Sequence, residues 1–300
     1  MAEAPPKIDQ VVRALKNLAD PTRLRLVTLL GHGELTVGEI CRVVGQSQPR
    51  ISRHLRLLTE AGFLDRFREE QRVYYRTPAC GHRAGWLSEV LGSVDPEDTA
   101  LQRDRERMAV VVGDRERAAA SELGAGAPAD LDVAGLAAIL GEELGPVALG
   151  ELLDIGTGAG PLLAMLGARA AHAVGVGLSS PALRLARSRL HGRAHAHCEF
   201  RCGDMYALSF ERASFDTVTM DRVLAGAKRP EAVVAEAVRV LRPGGLLLVV
   251  ERFDAIEART GVDPLLGLRR WLDGAGLKLA RLRSCELATG RYALAMARHA

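Results

Sequence analysis

The sequence predicts a multidomain chain of α and α/β class. A small helical domain closed by a β-hairpin precedes a larger, mostly parallel, doubly wound sheet. Three observations predict it. The 300 residues are about twice a typical single domain. Residues 9–62 read as short helices punctuated by glycine and proline, and a strand, polar turn and strand follow to residue 76. From residue 152 onward, short apolar strands alternate with helices, the pattern of a parallel sheet. Composition agrees: 48% hydrophobic and 26% charged residues is globular and excludes a mostly disordered chain. Apolar runs such as Leu246 to Val250 fall far short of the roughly 20 residues of a membrane span. Met1 to Gln10 show no signal-peptide pattern, and five cysteines, an odd number, suit a reducing compartment. A cytoplasmic protein without a membrane partner is expected.

In the first domain (residues 1–95), apolar residues at 11, 12, 15 and 18 give a helix over 9–19. Asp20-Pro21-Thr22 ends it and opens a second helix, because proline is tolerated in a first turn. That helix, rich in leucine from Leu24 to Leu30, ends at Gly31-His32-Gly33. Thr36 with Glu39 three residues on is a capping box that opens Val37 to Val44, and Gly45 closes it. Gln48 to Ala61 follows. Helix, glycine turn, helix is helix-turn-helix spacing. Ile51, Leu55 and Leu58 form the buried face of the second helix. Ser47, Gln48, Arg50, Ser52, Arg53 and His54 are left to donate to phosphates and base edges in a major groove. Phe63-Leu64 starts a strand and Val73 to Arg76 returns. Arg66, Arg68, Arg72 and Arg76 surround the Glu69-Glu70-Gln71 turn, which makes the hairpin a wing.

Charge supports this placement. The net charge is only +3, but residues 1–94 hold 14 basic and 10 acidic side chains, and the remainder 26 and 27. Eight arginines lie between Arg42 and Arg76 against four acids, a local excess that suits a polyanion. Arginine replaces lysine throughout the chain, 36 to 4, so the ratio reflects genome composition. Only the position of those eight is informative.

The phrases LKNLADPTRLRLVTLL, LTVGEICRVVGQSQPRISRHLRLLTEAGFL and REEQRVYYR resemble the ArsR-type winged-helix repressors over about residues 9–78. The resemblance implies a homodimer that reads a palindromic operator in double-stranded DNA. Metal-sensing members carry paired cysteines on the helix after Thr36, or His/Asp ligands after the wing. This chain has Thr36, Gly38 and a lone Cys41, then Cys80 and His82 spaced for neither set. No metal site is expected, and Cys41 is expected as a small buried hydrophobe.

Residues 96–130 read as a helical linker. Asp104-Arg105-Glu106-Arg107 and Asp114-Arg115-Glu116-Arg117 suggest a solvated helix from Pro96 to Leu123, with a dimer-forming or signal-transmitting helix as the alternative, and a glycine-rich break to Asp130.

The second domain (residues 131–300) opens on the strand Leu152 to Ile155, which enters the turn Gly156-Thr157-Gly158-Ala159-Gly160 and a helix from Pro161. Such a turn lets a ligand approach backbone at a helix N-terminus. Further strands are Ala173 to Val176, Phe200 to Cys202 with Asp204 just beyond, Ser214 to Met220, and Gly245 to Glu251. LLDIGTGAG, AVGVGLS, GDMYALSF and VLRPGGLLLVVE together resemble class I S-adenosylmethionine-dependent methyltransferases, whose fold is Rossmann-like. The resemblance covers about residues 150–298 and implies a final strand pair near Leu277 to Arg283 and Tyr292 to Ala297. The resemblance implies that Asp154, Gly156, Thr157, Gly158 and Gly160 hold the methionine end of the cofactor. Asp204 would accept from the adenine amino group, with Leu178 and Met205 on the ring faces.

Gly177 departs from the pattern, because family members place an acid there on both ribose hydroxyls. Losing that acid costs about 1.5–3 kcal/mol, and Ser179 or Ser180 is a partial substitute. Asp221 is the one acid nominated near the methyl group, against the blander reading of an ordinary surface charge. Cys198, Phe200 and Cys202 alternate on one strand face, so both cysteines are expected as core rather than as metal ligands with His191, His195 and His197. No residue is assigned a catalytic role. Three functions fit: a repressor whose second domain binds S-adenosylmethionine or S-adenosylhomocysteine as a small-molecule effector, a methyltransferase on a small molecule that regulates its own gene, and a repressor whose second domain is a ligand-free dimerisation scaffold.

Overall fold

A computed structural model of the chain describes residues 7–78, 82–124, 132–192 and 195–300. Cys80 and the break at 125–130 lie outside these. Residues cluster into two compact units, 1–118 with 190–197, and 119–189 with 198–300.

The first unit begins with α1 (Ile8–Leu18) and α2 (Pro21–Leu30). Pro21 sits in the first turn of α2, and the Asp20 carboxylate accepts the Arg23 N–H as its cap. After β1 (Leu35–Thr36), α3 (Val37–Val44) opens on the Thr36–Glu39 capping box and stops at Gly45 with φ +70°. Next come α4 (Gln48–Glu60), β2 (Asp65–Glu69) and β3 (Arg72–Arg76). The three strands form one antiparallel sheet in the order β1-β3-β2. The core gathers apolar faces of α2, α3 and α4, with Leu26, Ile40, Ile51, Leu55 and Leu58 fully buried. Burial of each such side chain contributes about 1.5–3 kcal/mol.

Two helices complete this region, α5 (His82–Gly92), not anticipated from the sequence, and α6 (Thr99–Leu123). The solvated-helix expectation for α6 is corrected. Leu101, Asp104, Met108, Val111 and Arg115, spaced three and four apart, are buried, and Met108 and Val111 join the core. The charged members are accommodated because each finds a partner: Arg25 clasps Asp104 at 2.7 and 2.8 Å, and Arg115 donates to the Glu34 carbonyl at 3.0 Å.

In the second unit, α7 (Val133–Leu144) precedes β4 (Gly150–Ile155), α8 (Pro161–Leu166), β5 (Ala170–Gly177), α9 (Ser180–Arg189), β6 (Cys198–Cys202) and β7 (Phe215–Asp221). Then follow α10 (Pro230–Val240), β8 (Leu241–Arg252), α11 (Phe253–Thr260), α12 (Pro264–Leu272), β9 (Leu277–Leu287) and β10 (Gly290–His299). The seven strands are ordered β6-β5-β4-β7-β8-β10-β9. All pairings are parallel except those of β10 with β8 and β9. The order reverses between β4 and β7, and the carboxyl ends of the strands at such a switch point are where sheets of this kind bind ligands. Central strands are buried on both faces, hence runs such as Leu246 to Val250.

Candidate nucleic-acid interface and cofactor site

On α4 the buried stripe of Ile51, Leu55 and Leu58 fixes which way the helix faces. Ser47, Gln48, Arg50, Ser52 and Arg53 are then exposed together at its N-terminal end. His54 is turned inward. Its Nδ1 lies 3.9 Å from Asp20 Oδ1, and burial, with Arg23, Arg50 and Arg53, lowers its pKa against the opposing pull of Asp20.

In the wing, Arg66, Arg68 and Arg72 are exposed around Glu70, which takes φ +53° at the tip. Arg68 donates to the Glu70 carbonyl at 2.9 Å and braces the turn. Among the described residues Arg50, Arg53, Arg66 and Arg72 make no ion pair. Arg42 pairs with Asp114, and Arg76 pairs with Glu34 at 3.2 Å. The eight arginines therefore divide into structural and outward-facing members.

At the strand ends of the second unit, Asp154 is 1% exposed. It accepts from Thr219 Oγ1 at 2.7 Å, and burial pushes its pKa up to about 7. Gly156 takes φ +70°, and a Cβ there would lie 2.5 Å from Val223 Cγ2, so this glycine admits close packing of the loop after β7. Thr157 donates its backbone N–H to the Val176 carbonyl at 2.9 Å, and Gly158 and Gly160 also take positive φ. Met205 packs on the core edge, whereas Leu178 is 67% exposed. Asp204 is exposed, and its Oδ1 accepts the Tyr206 N–H at 2.9 Å.

Gly177 has ordinary φ, and a Cβ there would meet only Leu183 Cδ2 at 3.5 Å and Thr157 Cγ2 at 3.9 Å. Space for an acid exists, but the acid does not. Both neighbouring hydroxyls are engaged: Ser179 Oγ accepts from the Ala182 N–H at 3.3 Å, and Ser180 Oγ from Arg184 at 3.0 Å. The buried acid and glycine turn fit a cofactor's methionine end, while the ribose end lacks its usual acceptor.

Several expectations at these strand ends are corrected. Asp221 is half-buried rather than a free surface charge, its carboxylate 7% exposed and clasped by Arg222, itself at φ +55°, at 2.9 to 3.1 Å. Cys202 is exposed, since β6 runs out of the core there, while Cys198 is buried as expected. Cys41 is half-buried, not fully enclosed. Among the described residues no group of three or more His, Cys, Asp or Glu side chains is placed to hold a metal. His191 falls in the first unit, with Nε2 3.1 Å from Met108 Sδ, and burial holds its pKa down to about 3.

Sequence reasoning also missed Glu251. It accepts the Leu224 and Ala225 N–H groups, fixes the loop after β7, and is pushed up to about 7 by burial. The signal was an acid ending an otherwise apolar strand.

Comparison with known proteins agrees region by region. Residues 20–66 match the bacterial regulatory proteins of the arsR family, and residues 153–249 match the methyltransferase domain. The chain is 37% identical over 102 residues to the arsenical resistance operon repressor of Escherichia coli, spanning 34% of this chain and 80% of that one. It is 43% identical over 97 residues to an arsenic resistance transcriptional regulator of Pseudomonas putida, spanning 31% of this chain and 73% of that one. It is 37% identical over 106 residues to the demethylmenaquinone methyltransferase of Clavibacter sepedonicus, spanning 35% of this chain and 42% of that enzyme's length. Among the described residues no helix is long and apolar enough to cross a membrane. The chain belongs to the arsR family of bacterial regulatory proteins and carries a methyltransferase domain C-terminal to its helix-turn-helix.

Proposed function

We propose that this protein is a homodimeric repressor that reads a palindromic operator through α4 and the wing. Its methyltransferase domain binds S-adenosylmethionine or S-adenosylhomocysteine as an effector. The observation that carries this reading is a pairing of features. Arg50, Arg53, Arg66 and Arg72 are outward and, among the described residues, without ion pairs, and the strand-end site has its buried Asp154 but a glycine, Gly177, where a ribose acid would stand. Ser47, Gln48, Ser52 and Arg68 join the DNA contacts, and His54 supports the helix from within. A row of exposed apolar residues on α1, Ile8, Val12 and Leu15, supports pairing with a second copy.

In the second domain, Asp154 and the Gly156–Gly160 turn would hold the methionine end, and Asp204 with Leu178 and Met205 the adenine. Bound S-adenosylmethionine would supply an activated methyl group. Sensing needs only differential affinity between DNA-bound and free states, so a weakened ribose contact is compatible with it. Electrophoretic mobility shift with DNA from the gene's own upstream region, with and without each nucleoside, tests the reading. No shift in either condition refutes it.

The enzyme reading, methyl transfer to a small molecule, is favoured by the methyltransferase match across residues 153–249. It predicts labelled-methyl incorporation into a metabolite extract, and proximity alone suffices for such transfer without a catalytic acid or base.

A further inference from the structure

Helix α6 contributes to both units, its residues through Ala118 to the first and Ala119–Leu123 to the second. In the first unit it is fastened to the helix-turn-helix at four points. Asp104 holds Arg25 of α2, and Arg107 donates to the Val43 carbonyl of α3 at 3.3 Å. Asp114 pairs with Arg42, and Arg115 reaches the Glu34 carbonyl and Glu39. Three of these partners sit on α3, the helix that packs against α4 and sets its position.

The far end of α6 is held differently. Glu122 pairs with Arg184 of α9. Arg184 is 5% exposed, and it also donates to Ser180 Oγ, three residues beyond Gly177. A buried guanidinium needs its partners, because an unpaired buried charge costs several kcal/mol. Any group that takes up Ser180, or shifts the start of α9, therefore changes what Arg184 offers to Glu122. A ligand lying across the Gly177–Ser180 turn would do that.

We propose that α6 relays occupancy of the strand-end site to the helix-turn-helix, with the Arg184–Glu122 pair as the link between ligand turn and helix. This rests on the sensor reading above. Glu122 is a positioning residue in it: half-exposed and, among the described residues, bonded to the cofactor side through Arg184.

The test uses the full chain and its Glu122→Gln variant. S-adenosylhomocysteine is the probe, and the operator is a duplex selected by the wild-type protein from a random pool. Calorimetry measures probe binding, and fluorescence anisotropy measures operator Kd with and without the probe. In the wild type the probe shifts operator Kd by about fivefold or more, the lower end of ordinary allosteric coupling. The variant binds probe and unliganded operator within about twofold of wild type, yet its Kd shift falls toward onefold. Hydrogen exchange of the Ala118–Leu123 amides responds to probe in the wild type and not in the variant. A variant that keeps the full shift overturns the proposal, as does one that loses probe binding, which would make Glu122 part of the ligand site. A wild type that binds the probe without any Kd shift refutes the sensor reading itself, and the relay with it.

Discussion

Replacing Gly177 by aspartate restores the missing ribose acceptor without disturbing the fold around it. A Cβ at this position makes only ordinary contacts, 3.5 Å to Leu183 and 3.9 Å to Thr157, and the backbone is not left-handed. A hydrogen bond to a charged group is worth about 1.5–3 kcal/mol, which is roughly 10–150-fold in affinity. Titration calorimetry of S-adenosylhomocysteine into wild type, Gly177→Asp and Gly177→Ala measures it. Alanine supplies the Cβ without the acid, so it separates filled space from hydrogen bonding. The aspartate variant is expected to bind at least tenfold tighter than both others. Equal affinity of the aspartate and alanine variants would falsify the assignment of this turn to a ribose.

Other consequences follow from the same geometry. Arg50→Ala or Arg53→Ala should cost about 1–3 kcal/mol of operator binding and relax sequence preference, read by anisotropy on single-base operator variants. Arg72→Ala should instead weaken specific and random DNA alike, and make the salt slope of log K shallower by about 0.9, the value of one neutralised phosphate. Asp104→Ala strands Arg25 and should destabilise the first unit by about 3 kcal/mol in urea unfolding; a change below about 0.5 kcal/mol would contradict the burial argument for α6. His172 is pinned between Glu199 at 2.6 Å and Glu151 at 3.1 Å. Burial opposes its charge, but the two carboxylates prevail and raise its pKa above 6.5. Its stabilisation is complete below the unfolded value near 6.5 and is lost as pH rises through the raised folded value. Wild type minus His172→Gln in thermal unfolding should shrink across that window, and a difference that grows with pH would contradict the pairing.

Much of the fold was legible because local signals and tertiary outcome agree. The Thr36–Glu39 box, Pro21 in a first turn and left-handed Gly45 each specify a helix end by backbone chemistry alone. The central strands were legible as apolar runs bounded by glycine. Helix α6 reads as solvated because Asp104 and Arg115 occupy its buried stripe, and partners 79 and 81 residues away along the chain cannot be seen from spacing. The same limit hides Asp221, whose carboxylate is clasped by Arg222 folding back at positive φ. Gly156 reads as room for ligand approach; that its missing Cβ also lets the Val223 side chain pack close is something periodicity does not reveal. Cys202 shows how alternation fixes a strand face but not where the strand leaves the core.

The central claim joins a DNA-reading unit to a nucleoside-reading one. Fluorescence anisotropy of the full-length protein on its selected operator, with and without about 1 mM S-adenosylhomocysteine, tests that union in a single titration. A change in operator Kd of about fivefold or more is predicted, the coupling expected when a ligand distinguishes two states of a regulator. Identical binding curves in the two conditions would contradict it.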